Sequence, residues 1–336
     1  MPDSPSLISR RTMLGCIGAF LAAAPVLAAC GSGGTAASGG GAGKTVGVSL
    51  NGINDYTKYV AEGIAKALDG GGYQLKIVQA NFDGPTELRN LENLASQGVA
   101  AIVCLPNTIE TTLNGIREAK DAGIPNSLAI WAGPGPVDPY TNGVAFVDSA
   151  KGGVMTGEWL KKNATPGKII VVQGIVGQGF TERLDQGLDQ SLAGTGFQVV
   201  VREQGMFDRN TAVGVVERGL QAHPDAKIIV SHAAAMGDGI ASYLKQNNIT
   251  DVVHVSDDVD DELLTWLGTP YMQVSRFYSP GETGLIAGRI VRTALEGGNV
   301  QFQNDVFQDM MTVDNKDQFL KDHPYRYREF ASTLNL

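Results

Sequence analysis

DGPTELRNLENLASQGVAAIVCLPN (residues 83–107) holds the rhythm that decides the fold. Its first half places Leu88, Leu91, Leu94 and Ala95 on one stripe at helical spacing, with Pro85 where a first helical residue belongs. Its second half, AAIVCL (100–105), is a short continuous apolar run of strand length. The stretch predicts a helix over 86–96 feeding a buried strand. Working outward, the same beat recurs on both sides. TVGVSL (45–50), YQLKIVQA (73–80), NSLAI (126–130) and GVAFV (143–147) read as strands with helical spacing between them. After a helix at about 150–163 it starts again: GKIIVVQ (167–173), FQVVVRE (197–203), AKIIVS (226–231), DVVHVS (251–256) and YMQVS (271–275), with helices over roughly 180–193, 209–222, 238–247, 260–267 and 281–296. Strict β-α alternation with mostly apolar strands predicts α/β architecture with parallel sheets covered on both faces. Two successive sets of five strands predict two Rossmann-like, doubly wound lobes.

The 336 residues, 43% hydrophobic and 18% charged, suffice for two domains. The N-terminus stands apart. Arg10-Arg11 precede an uncharged apolar segment over 16–29 that is too short to span a bilayer comfortably. A basic start, an apolar centre and small residues before the break are the parts of an export signal, here of twin-arginine type, over residues 1–29. LAAC (27–30) resembles a bacterial lipobox, which makes Cys30 the expected lipidation site and the link to the membrane. Residues 31–43 are glycine, alanine, serine, threonine and nothing larger, so 30–43 is expected to be a flexible linker. Of three cysteines, Cys16 lies in the signal and Cys30 at the lipid site. Cys104 is left alone as a small buried hydrophobe, so no disulfide is expected in the mature domain. A net charge of −9 argues against nucleic acid as a partner and against adsorption to anionic lipid.

In doubly wound sheets ligands bind beyond the carboxyl ends of the strands. The segments there carry amides, hydroxyls, carboxylates and aromatics with few cations, which suits a neutral polyhydroxylated ligand. Enzyme motifs were sought at the same ends. GQGFTE (177–182) opens a helix after a strand, but Glu182 stands where a dinucleotide fingerprint needs its third glycine. No GxxxxGK[ST], HExxH or GxSxG occurs, and His223, His232, His254 and His323 share no helix face with carboxylates at ligand spacing. SDDVDDE (256–262) lacks the glycine hinge and distal glutamate of a calcium loop. Asp260, Asp261 and Glu262 are expected to favour the first turn of a helix, while Asp257 sits at a strand end as a ligand candidate. The chain is therefore expected to be no enzyme, with neither metal nor cofactor.

VSLNGINDYTKYVAEG, LENLASQGVAAIVCLP, AKDAGIP, VVQGIVG, GMFDRNTA, AHPDAKIIV and YSPGETG occur in that order. Together, over about residues 45–313, they resemble the ribose-binding type of sugar ABC transporter substrate-binding lipoproteins, the type 1 periplasmic binding proteins. The resemblance implies two lobes joined by a three-crossover hinge, near Asp148, Tyr278 and Gln308, closing over a sugar. It implies an N-terminal lobe of 44–148 plus 279–307 and a C-terminal lobe of 149–278 plus 308–336, with the tail from Asp314 packed outside a lobe. It implies an extracytoplasmic, lipid-anchored monomer whose partners are a sugar and the ABC permease subunits. The implied ligand residues are Asn54 and Tyr56 after the first strand, Trp131 after the fourth, then Arg183, Phe207, His232, Asp257 and Tyr278. Asn107, Asp148, Gln178 and Arg276 are further candidates. The Asp-Arg pair that such proteins usually carry after the fourth strand is replaced by Ile130 and Trp131, and the Asn-Asp pair after the third strand of the second lobe by Ala233 and Ala234. These departures lead to an expected ligand unlike ribose: an acyclic polyol or a less common sugar. A furanone-like signal molecule, or a sugar-sensing role without transport, is the alternative.

Overall fold

The structure is a computed structural model that describes residues 44–334 and 336. The export signal, Cys30 and the linker lie outside the described residues. Strands β1 (Thr45–Leu50), β2 (Gln74–Gln79), β3 (Ala101–Cys104), β4 (Asn126–Trp131) and β5 (Gly143–Phe146) form one parallel sheet. Strands β6 (Lys168–Gln173), β7 (Gln198–Gln204), β8 (Ile228–Ser231), β9 (Val253–Asp257) and β10 (Val274–Tyr278) form a second. The chain then returns to the first sheet as β11 (Gln303–Asp305), parallel to β5, and ends in the second as β12 (Gln308–Met311), antiparallel to β10. The orders are β11-β5-β4-β3-β1-β2 and β12-β10-β9-β8-β6-β7. Each lobe thus repeats the same doubly wound order, and three connections link the sheets: 147–148, Ser279 and 306–307.

The apolar runs of the inner strands are buried on both faces, while the edge strands β2 and β7 are partly exposed. Val46, Val48 and Leu50 of β1 pack with Ala101, Val103 and Ala129 on one side of the first sheet. Ile102, Cys104 and Leu128 pack with Leu91, Leu94 and Ile116 on the other. The helix read from residues 83–107 runs Gly84–Ser96 (α2), and Asp83 caps it by accepting from the Thr86 amide at 2.8 Å. In both lobes the helices that back the sheet meet through glycine. Where α1 (Asp55–Leu68) meets α9 (Pro280–Leu295), a Cβ on Gly284 would lie 1.9 Å from the Val60 carbonyl oxygen. Where α4 (Ser149–Asn163) meets α5 (Phe180–Leu192), a Cβ on Gly187 would lie 1.9 Å from that of Ala150.

Three differences from the sequence reading bear on function. Strand β10 starts three residues later than YMQVS suggested. Residues 268–272 form a tight turn instead, with the Gly268 amide bonded to the Met272 carbonyl at 2.9 Å. The helix expected over 260–267 is the single turn α8 (Leu263–Trp266), whose Leu263 amide is capped by Asp260 Oδ1 at 2.8 Å. The tail, with α10 (Lys316–Asp322) and α11 (Arg328–Ala331), does not rest on one lobe alone. Arg326 donates to Glu62 on α1 and to Asp261 beyond β9, both at 2.8 Å, and stacks its guanidinium 4.3 Å from the Tyr59 ring.

Candidate functional site

The carboxyl ends of both sheets face one cavity, lined from the first lobe by Asn51, Asn54, Tyr56, Phe82, Ile130 and Trp131, and from the second by Gln178, Phe180, Phe207, His232 and Asp258. Tyr278, at the end of β10 beside a lobe connection, completes the wall. The lobes touch around it. The Ile109 amide donates to the Gly177 carbonyl at 3.1 Å, Arg183 donates to the Pro134 carbonyl at 2.9 Å, and the Phe82 and Phe207 rings lie 6.3 Å apart. The enclosed space measures about 70 Å³. A single water needs roughly 10–15 Å³, so the cavity has room for a small molecule of several water volumes.

Local backbone irregularities aim the side chains inward. Between β4 and β5 the register slips at Ile130, whose φ of 70° is strained for a β-branched residue. Such a bulge re-aims the strand end, and both Ile130 and Trp131 reach the cavity. Trp131 Nε1 donates to Asp138 at 2.9 Å, which holds the indole in place. After β9, Asp258 takes a left-handed φ of 55°, which lets its carboxyl enter the cavity while its amide donates to the Arg276 carbonyl at 2.9 Å. Asn81, Phe82, Met206 and Phe207 are also left-handed, each at a cost on the order of 1–3 kcal/mol.

The polar lining is buried and largely unpartnered. Asn51 Oδ1, Tyr56 Oη, Gln178 Nε2 and Asp258 Oδ1 have no hydrogen-bond partner among the described residues, nor has His232 Nδ1, while His232 Nε2 lies 3.6 Å from Asp185 Oδ1. Burial, then the Asp258 charge, pushes the Tyr56 hydroxyl far up, so it remains a donor. Burial, then Arg276, holds the His232 pKa at about 3, so its imidazole is neutral. Burial, then Asp257 and Asp260, pushes the Asp258 carboxyl well above the ordinary range. No lysine or arginine lines the space. The floor is aromatic: Tyr278 packs edge-on against Tyr56 at 6.0 Å and tilted against Phe180 at 6.0 Å.

The cavity brings together Asn54, Tyr56, Trp131, Phe207, His232, Tyr278 and Gln178 of the residues singled out from sequence. Asn54 also caps α1, with Oδ1 accepting from the Thr57 amide at 3.0 Å, which leaves its NH₂ for a ligand. The other five stand elsewhere. Asp257 does not line the cavity. It is the register partner of Arg276 on the neighbouring strand, and the two form a buried bidentate pair at 2.5 and 2.6 Å. Arg276, placed by the shift of β10 inside the strand rather than at its end, also donates to Gln308 at 2.9 Å and backs the Tyr278 ring at 4.6 Å. Arg183 is spent across the lobe boundary on Pro134. Asn107 is buried and outside the cavity lining, with its backbone amide donating to Glu87 at 2.7 Å. Asp148 caps α4 at the first lobe connection, accepting from the Lys151 amide at 3.0 Å. Sequence reasoning missed Asn51, Phe82, Phe180 and Asp258. Phe82 had a legible signal, because FDGPT (82–86) repeats as FDRNT (207–211).

Comparison with known proteins agrees with this architecture. Residues 46–299 match the family model of the periplasmic binding protein domain. A xylitol-binding protein of Mycolicibacterium smegmatis is 28% identical over 308 residues, 90% of this chain and 86% of that relative. The ribose import binding protein of Escherichia coli is 27% identical over 207 residues, 61% of this chain and 69% of the relative. An ABC transporter solute-binding protein from Bacillus halodurans, with bound myo-inositol, shares the fold at a TM-score of 0.76 and 20% identity, covering 85% of this chain and 100% of that one. With its paired doubly wound lobes and three connections, the chain belongs to the periplasmic binding protein family, in the type 1 form.

Proposed function

We propose that the protein is the solute-binding component of an ABC importer that captures a small neutral polyol or uncommon sugar between its lobes and delivers it, chemically unchanged, to the permease. It works outside the cytoplasm as a monomer tethered through lipid on Cys30. One observation carries the ligand class: buried amide, phenol and carboxyl atoms with no hydrogen-bond partner among the described residues belong to side chains lining a cavity with aromatic walls and, among those residues, no lysine or arginine. Each such buried group left without a partner costs about 1–3 kcal/mol. A ligand with several hydroxyls, each able to donate and accept, satisfies such a mixed set. The aromatic walls cover its C–H faces. A relative that spans 90% of the chain is named for xylitol, which makes a five-carbon polyol the first candidate.

The proposed ligand contacts are Asn51, Asn54, Tyr56, Gln178, His232 and Asp258 as polar partners, with Trp131, Phe207 and Tyr278 as walls. In the mechanism, one lobe binds weakly in the open form. Contacts from the second lobe then shift the population to the closed form that the permease receives. A thermal-shift screen of the purified protein against polyols, inositols, pentoses and hexoses tests the reading. A ligand at 100 times its Kd adds about 2.7 kcal/mol of stability, and the bound compound is recovered unaltered. A shift with none of them, or recovery of a converted product, refutes it.

A further inference from the structure

We propose that Phe82 sets the length of ligand the site accepts, as a fixed wall paired across the lobes with Phe207. This deepens the ligand reading above and rests on it. The two lobes build the same device twice. FDGPT and FDRNT each follow the second strand of their lobe, and each aspartate caps the next helix, Asp83 on the Thr86 amide and Asp208 on the Thr211 amide, both at 2.8 Å. Each phenylalanine and the residue before it are left-handed, with φ of 49° and 58° in the first lobe and 58° and 54° in the second. Each ring lies on a glycine just past the first strand of its lobe. A Cβ on Gly52 would come 2.3 Å from the Phe82 ring, and a Cβ on Gly174 would come 2.3 Å from the Phe207 ring.

That contact decides the role. With the backbone held left-handed, the Phe82 amide bonded to the Asn51 carbonyl at 2.6 Å, and Gly52 directly behind the ring, the half-buried side chain cannot retreat toward its own first strand. The Phe82 and Phe207 rings meet at 6.3 Å, tilted by 42°, and both line the cavity. A ligand chain growing toward them therefore meets two rings, each backed by a glycine of its own lobe, that do not retreat in that direction by the volume of a CH₂OH group. Shortening Phe82 opens that end without touching any of the polar partners.

The test is isothermal titration of wild type, Phe82→Ala and Phe82→Leu with acyclic polyols of four, five and six carbons: erythritol, xylitol and sorbitol. The expected result is a preference of six over five carbons that rises at least tenfold in Phe82→Ala, with Phe82→Leu between it and wild type. Should Phe82→Ala not fold, the Leu variant carries the comparison through an intermediate change in the same ratio. An equal change in affinity across the series, with ratios within threefold of wild type, assigns Phe82 a packing role and overturns the proposal. Wild-type protein that binds none of the three polyols defeats the acyclic-polyol reading of the ligand and the proposal with it. Wild-type binding with unchanged ratios in both variants defeats the proposal alone.

Discussion

Replacing Asp257 and Asp258 by asparagine, one at a time, should separate a residue that holds the fold from one that holds the ligand. Asp257→Asn removes the partner of Arg276, which is fully buried. Breaking such a pair leaves an uncompensated charge inside the protein and costs about 3–5 kcal/mol. For a folding unit of this size, each kcal/mol moves Tm by roughly 2–4 °C, so the midpoint should fall by roughly 6–20 °C. Below that midpoint, ligand affinity should stay near wild type, because the Asp257 carboxylate is spent on Arg276. Asp258→Asn should act in the opposite way. Its Oδ1 is buried and unpartnered, so a neutral amide of equal size should leave Tm unchanged or raise it. Bonds from ligand hydroxyls to a carboxylate contribute about 1.5–3 kcal/mol, and a tenfold change in Kd is about 1.4 kcal/mol. Affinity should fall on the order of 10- to 150-fold. Burial, then Asp257 and Asp260, holds this carboxyl well above the ordinary range, whereas ligand hydroxyls donating to it favour the ionised form. Wild-type affinity should therefore rise with pH, and Asp258→Asn should flatten that rise. Differential scanning fluorimetry and isothermal titration with the best polyol measure both quantities. A normal Tm with lost binding in Asp257→Asn, or wild-type binding in Asp258→Asn, would refute the reasoning.

Three further outcomes follow from the packing. Burial, then Asp260 and Glu262, pushes Asp238 up to about 10. The folded protein then holds a proton that the unfolded chain releases above about pH 4, and stability attributable to this group declines as pH rises from there toward 10. Asp238→Asn should stabilise the protein increasingly across that window in pH-dependent urea unfolding, and a constant difference between pH 5 and 9 would exclude this origin. Arg326→Met leaves Glu62, whose side chain is 2% exposed, without its counter-charge and with the Tyr327 amide at 2.8 Å, and because that bond remains and Arg326 itself is partly solvated the loss should sit near the low end for a buried pair, about 3 kcal/mol. Denaturant midpoints measure it, and a loss under about 0.5 kcal/mol would show that the tail bears no structural weight. Gly284→Ala gains roughly 1 kcal/mol of helix propensity, yet its methyl meets the Val60 carbonyl at 1.9 Å. The helices must part, so Tm should drop, and a rise in Tm would contradict the contact.

Much of the fold was legible because its signal is local. A stripe of leucines every three to four residues, or an unbroken apolar run, reports on segments of about ten residues, and β1, β4, β6, α4, α5 and α6 fall within a residue or so of where their sequences placed them. YMQVS failed because Tyr271 and Met272 look like strand residues but are held in a turn by the Gly268 bond. That displacement carried Arg276 from an expected strand end into a strand interior, where it met Asp257.

The candidate site was legible only as a set of positions. Seven of the twelve residues chosen from sequence line the cavity, because strand ends converge in any doubly wound sheet. Which side chain at each end turns inward depends on events that composition does not record: the slip at Ile130, the left-handed turn at Asp258 and the glycine floor beneath Phe82. By itself, then, the sequence determined the two doubly wound lobes and the mix of amide, hydroxyl, carboxylate and aromatic side chains at the strand ends, since periodicity and residue type are properties of short segments. Only the tertiary structure decided that Asp258 rather than Asp257 faces the cavity. One left-handed residue reverses the facing of a side chain, and whether a carboxylate is free for a ligand depends on an arginine nineteen residues away in sequence and one strand away in space.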